Sequence, residues 1–167
     1  MQDFELPPFV IDWFSLFDPA FAGGLFPGRQ GWILLGKRSV VSPLHQDAYH
    51  TLAWLAQVRG RKRCYLFSPL DSAKLYGGRI DPASPDFDRY PLLHEAMLYE
   101  AVLEAGEMLF LPPNWWHHVV TEENSITVSY NIVNHINFGY YVRRAFGKRL
   151  PAFLGSLVLP DKGARSQ

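Results

Sequence analysis

From Gly31 to Val133 the chain breaks into short apolar or alternating stretches, each closed by a glycine, a proline or a polar turn. This pattern limits the possible folds more than any other feature. The stretches are Trp32–Leu35, Ser39–Asp47 (interrupted by Pro43), 51–58, 61–68, Met97–Leu103, Glu107–Leu111, His117–Val120 and Ser125–Val133, with Gly60 at the turn between the third and fourth. Many short strands at close spacing cannot each bury a face alone; they predict a sandwich or a closed barrel. Between them, Pro69, Pro82, Pro85, Pro91 and the pair Gly77-Gly78 mark residues 69–92 as a long surface excursion.

Around this core the periodicity changes. Asp12 to Phe17 is a candidate short helix ended by Asp18-Pro19. Phe138, Tyr141, Val142, Ala145 and Phe146 follow helical spacing, with Arg143, Arg144, Lys148 and Arg149 suiting the helix's C-terminal half. A length of 167 residues fits a single domain over 1–167, with a barrel core at about 31–134 and a C-terminal helical segment at about 136–157. Phe138, Tyr141, Val142, Phe146, Phe153, Leu154 and Leu157 offer apolar surface either to the barrel's own flank or to a second copy, which makes a homodimer an expectation to test.

Composition narrows the function classes. Lysine plus arginine number 16 and aspartate plus glutamate 16, so no net charge steers the chain toward nucleic acid or an anionic membrane. Cys64 is the single cysteine, which excludes an intramolecular disulfide and a multi-cysteine zinc site; it is expected in the barrel wall. The opening residues lack the basic-then-apolar pattern of a secretory signal, and no apolar run is long enough to span a bilayer. A soluble, cytoplasmic protein is the expectation.

Four elements carry chemistry. In Pro43-Leu44-His45-Gln46-Asp47, residues two apart on a strand project to one face, so His45 and Asp47 can reach one divalent metal. Alone, this tripeptide is a weak signal that reads first as a surface histidine beside a solvated aspartate. The run Gly106 through Val119 takes an apolar strand through a double-proline turn and two tryptophans into His117-His118. Adjacent strand residues face opposite ways, so only one of these histidines can join His45 and Asp47. In Gly60-Arg61-Lys62-Arg63-Cys64-Tyr65-Leu66, Lys62 shares a face with Cys64 and Leu66, and a lysine on an apolar face needs an anionic partner. In the closing strand Ser125, Thr127, Ser129 and Asn131 share a face that either meets water or lines a chamber. His50, His94 and His135 read as surface or satisfied core residues.

Together these elements resemble the JmjC family of cupin-like 2-oxoglutarate oxygenases, in its hydroxylase branch. The resemblance runs from about Trp32 to Asn131 and rests on His45-Gln46-Asp47, Gly60-Arg61-Lys62 and Gly106 through His117; Pro85 to Pro91 is similar to a loop of that branch. It implies an all-β, double-stranded β-helix, the cupin jelly roll, with a short N-terminal flank and a C-terminal helical segment. It implies Fe(II) held by His45, Asp47 and His117, with 2-oxoglutarate anchored by Lys62. Ser129, Asn131 and Ser42 fall at co-substrate or supporting positions, though strict strand parity sets Ser42 opposite His45 unless Pro43 relieves it. Thr51, Trp54 and Trp116 fall at substrate-pocket positions. Leu55 departs from the pattern, standing where several relatives carry asparagine, and the flank before His45 is shorter than usual.

The implied reaction consumes molecular oxygen and hydroxylates a C–H bond of a protein, peptide or small-molecule substrate. An RNA base is also compatible, and nothing in the sequence singles out lysine demethylation. The alternatives are a cupin-type metalloenzyme that does not use 2-oxoglutarate, and a cupin-like binding module without catalysis.

Overall fold

Strand β1 (Gly31–Gly36) and strand β2 (Val41–His45) each sit at the edge of a different sheet. The remaining strands are β3 (Leu52–Arg59), β4 (Lys62–Phe67), β5 (Leu98–Leu103), β6 (Met108–Leu111), β7 (Trp116–Thr121) and β8 (Ser125–Ile132), and helix α1 spans Phe138–Phe146. The structure is a computed structural model that describes residues 11–13 and 31–147. The strands form two four-stranded antiparallel sheets ordered β1-β8-β3-β6 and β2-β7-β4-β5, the double-stranded β-helix of a jelly roll.

The two sheets face each other across one apolar cluster. Ala53, Leu55 and Leu111 come from the first sheet, and Cys64, Leu66, Leu103 and Val119 from the second. Cys64 is fully buried there, and burial pushes its thiol up to about 11, so it packs as a small apolar residue. On β8 the polar stripe faces inward, because Thr127, Ser129 and Asn131 stand opposite Gln57, Leu55 and Ala53. Thr127 is satisfied by donating to Gln57 Oε1 at 2.7 Å.

The excursion after β4 is more than a surface loop. It forms 3-10 turns at Pro69–Gly78 and Pro91–Glu95, and lays Leu75, Ile80 and Leu93 onto Leu44 and Phe67, making a second apolar cluster on the outer face of the second sheet. Asp71 fastens it, accepting from Lys74 Nζ at 2.8 Å and from the Met97 N–H at 3.2 Å. Gly78 is required at its close: φ is +82°, and a Cβ there would lie 2.5 Å from the Leu44 carbonyl oxygen.

Outside the sheets, Asp12 accepts from the Tyr130 hydroxyl and the Val133 N–H, at 3.1 and 3.3 Å. The rest of the expected 12–17 helix lies outside the described residues. In α1, Tyr141 is buried with its ring 5.8 Å from that of Tyr49, and Phe138 meets Trp13 at 5.2 Å. Phe153, Leu154 and Leu157 lie outside the described residues. No helix among those described is long and apolar enough to cross a membrane.

Candidate metal centre

β2 and β7 are neighbours, and their register sets His45 directly opposite His117. Residues paired across an antiparallel ladder project to the same side, so both imidazoles enter the space between the sheets, with ring centroids 4.1 Å apart. Asp47 follows immediately after β2. One ligand atom from each of His45, Asp47 and His117 lies within 4.8 Å of the others, and His117 Nε2 is 3.9 Å from Asp47 Oδ1.

The tautomers suit a metal. His45 Nδ1–H donates to the Pro43 carbonyl at 2.7 Å, and His117 Nδ1–H donates to the Trp115 carbonyl at 3.2 Å. Each bond leaves Nε2 with its lone pair free for a ligand role, the usual outer support of a metal-bound histidine. Burial lowers the His117 pKa despite the neighbouring Asp47 carboxylate, which favours the neutral, ligating form. Two imidazoles and one carboxylate from one side are the donor set of a facial triad for a borderline divalent ion such as Fe(II).

Lys62 enters the same space from β4. It pairs with Thr121 on β7, while Leu66 pairs with His117, so Lys62 stands four residues along from the histidine, about 13 Å of extended strand. The side chain is 5 % exposed. Among the described residues no carboxylate lies within ion-pair distance of it, and burial lowers its pKa. Its neighbours behave as parity requires: Arg61 and Arg63 face outward, donating to Glu122 at 2.8 and 2.6 Å.

Ser42 shows why strict alternation fails on β2. Three steps along β2, from Ser42 to His45, match two along β7, from Val119 to His117, and this bulge at Pro43-Leu44 returns Ser42 to the inner face. Ser129 is buried on that face opposite Leu55. Asn131 donates from Nδ2 to Thr51 Oγ1 at 2.6 Å, and the Thr51 hydroxyl donates to the Ala48 carbonyl at 3.3 Å. Thr51 and Asn131 are therefore brought together beside the segment that carries Asp47.

Two expected pocket residues lie elsewhere. Trp54 alternates with inward Ala53 and Leu55, so it faces out and stacks on Tyr130 with centroids 6.0 Å apart. Trp116 precedes inward His117, so it too faces out; its indole N–H donates to Ser72 Oγ at 2.9 Å beneath the excursion. His118 occupies that outer face as well, buried, with Nε2 3.6 Å from Asp81 Oδ1. Gln46 and Asn114 are site neighbours that sequence reasoning gave no role, and His50, read as a surface or satisfied core residue, joins them. Asn114 accepts from Gln46 Nε2 at its carbonyl and from His50 Nδ1–H at Oδ1. The one signal was an asparagine placed directly after the double proline.

Comparison with known proteins agrees with this geometry. The cupin-like domain family matches residues 10–137. Jumonji C domain-containing protein 5 of Drosophila melanogaster is 40% identical over 105 residues, covering 58% of this chain and 26% of its own length. The tRNA wybutosine-synthesizing protein 5 of Homo sapiens is 42% identical over 108 residues, 62% of this chain and 30% of the relative. Lysine-specific demethylase 8 of Xenopus tropicalis is 35% identical over 104 residues, 57% and 23% respectively. The chain thus spans about a quarter of the length of these relatives. With the jelly roll, the inward His-Asp-His cluster and a family match over most of its length, the chain belongs to the cupin-like, JmjC-type domain family.

Proposed function

We propose that this chain is an Fe(II)- and 2-oxoglutarate-dependent dioxygenase that hydroxylates a C–H bond of a protein, peptide or small molecule. Lys62 carries the reading. A buried cation without a carboxylate partner among the described residues is costly, and the second carboxylate of a five-carbon diacid held at His45, Asp47 and His117 would neutralise it. A cupin metalloenzyme without 2-oxoglutarate has no comparable use for this lysine.

In this reading His45, Asp47 and His117 would hold the iron. With 2-oxoglutarate and oxygen it would supply the oxidation, one oxygen atom ending in succinate, formed with carbon dioxide from the keto acid, and the other in the hydroxyl of the product. The protein orients and shields. Lys62 fixes the far carboxylate, while Ser129 and Ser42 offer hydroxyls on the inner face. Asn131 and Thr51 brace the segment bearing Asp47. Leu55, Leu66, Val119 and Cys64 keep bulk water from the chamber's inner end.

The relatives' names point to different substrates, lysine demethylation for one and tRNA wybutosine synthesis for another. The even charge balance of this chain favours a protein, peptide or small molecule over RNA. The test is succinate formation with Fe(II), 2-oxoglutarate and oxygen against a panel of peptides, amino acids and a tRNA fragment. Succinate coupled to a hydroxylated peptide or amino acid supports the proposal. Absence of 2-oxoglutarate consumption under every condition, with iron bound, would return the chain to the other cupin readings.

A further inference from the structure

Of the three candidate ligands, His45 and His117 are each oriented by a hydrogen bond to a backbone carbonyl. Asp47 has no such support: among the described residues its carboxylate accepts no hydrogen bond, and its near polar neighbour is His117 Nε2 at 3.9 Å. Its placement therefore depends on the residues on either side. Both sides converge on one residue of a distant turn. Gln46 Nε2 donates to the Asn114 carbonyl at 2.5 Å, and His50 Nδ1–H donates to Asn114 Oδ1, across 68 and 64 residues of sequence.

Asn114 is also tied to the other ligand strand. It opens Asn114-Trp115-Trp116-His117, in which the Trp115 carbonyl orients the His117 ring. The contact needs unusual backbone on both sides, since Tyr49, His50 and Asn114 have φ of 60°, 57° and 65°. Asparagine tolerates that region better than most residues, and such conformations concentrate at functional sites. On its far side the loop is backed by fully buried Asn137, whose Nδ2 donates to the His50 carbonyl at 3.1 Å.

We infer that Asn114 is a positioning residue for the Asp47 ligand, latching the loop after β2 to the turn before β7 so that carboxylate and imidazoles meet at one point. The inference rests on His45, Asp47 and His117 being a metal centre. Outer-shell partners of metal ligands set affinity by roughly 10- to 100-fold, so a loss of about tenfold or more is the expected effect.

The test is an anaerobic titration of the metal-free protein with Co(II), followed by its visible absorption, with no co-substrate present. Asn114→Gly keeps the left-handed backbone but deletes the carboxamide, and His50→Gly deletes the partner. Each variant should bind Co(II) about tenfold or more weakly with an altered absorption band, while the melting temperature of the metal-free protein changes little. The double variant should be no worse than either single one. Should Asn114→Gly fail to fold, His50→Gly and Gln46→Ala carry the same expectation. Wild-type affinity in the folded variants, or losses that multiply in the double variant, would overturn the latch alone. A wild-type protein that binds no Co(II) would overturn the metal centre, and the latch with it.

Discussion

Replacing Lys62 with methionine should have two effects of opposite sign. The side chain is 5 % exposed, and it shares the inner face with Cys64 and Leu66, which are 0 % and 8 % exposed. Methionine is unbranched and of similar length, so it can fill the same volume without an unpaired charge. The metal-free, co-substrate-free variant should therefore be more stable than wild type, by about 1–3 kcal/mol. Binding of 2-oxoglutarate should weaken, because a charge-assisted contact of about 1.5–3 kcal/mol is lost, roughly 10- to 150-fold in affinity. The pH dependence has a definite sign. Burial lowers the Lys62 pKa in the folded state, so the unfolded chain binds more protons in the alkaline range. Wild-type stability should gain a contribution as pH rises toward the ordinary lysine value of about 10.4, and the variant should lack it. Thermal melts across pH and anaerobic calorimetry with 2-oxoglutarate measure both effects. A variant with unchanged melting temperature and unchanged 2-oxoglutarate affinity would refute the reasoning, since a solvated lysine would behave that way.

Other substitutions test the architecture around the site. His117→Ala should lose bound iron, whereas His118→Ala, on the opposite face, should keep it; iron content after purification decides, and the reverse result would put the β7 register off by one. Gly78→Ala should destabilise the fold by about 2–3 kcal/mol, because its Cβ would meet the Leu44 carbonyl oxygen at a φ of +82°; a thermal melt reads it. Asp71→Asn should cost about 1–2 kcal/mol at neutral pH by weakening the bonds from Lys74 and Met97. The Lys74 hydrogen bond lowers the Asp71 pKa, so that difference should be full above the ordinary carboxylate value of about 3.9 and shrink as pH falls through the lower folded value. Melts at acidic and neutral pH check this.

Much of the fold was legible because alternation and turn residues are local signals. All eight expected strands are present, with ends displaced by a residue or two. Parity alone separated Lys62 from Arg61 and Arg63; it also required His117 and His118 to face opposite ways, but the choice of His117 came from the resemblance. It also sets Trp54 and Trp116, which the resemblance put at pocket positions, on the strand faces opposite the metal ligands. Ser42 shows the limit of the same rule, since only a bulge explains its return to the inner face, and a bulge is visible only in the pairing. The excursion was recognised by its prolines but not as the lid of a second apolar cluster, because its apolar residues follow no period. The Asn114 contacts were illegible for a simpler reason: they join segments more than sixty residues apart through irregular backbone.

In the proposed function, one metal held by His45, Asp47 and His117 and one 2-oxoglutarate reaching Lys62 share the space between the sheets. An anaerobic titration of the Fe(II)-loaded protein with 2-oxoglutarate, repeated on the metal-free protein and on Lys62→Met, tests it most directly. The expected result is one equivalent of iron, one equivalent of 2-oxoglutarate bound tightly when iron is present, and binding weakened in the variant without loss of iron. Binding of 2-oxoglutarate that is absent, or equally tight without iron and without Lys62, would contradict it.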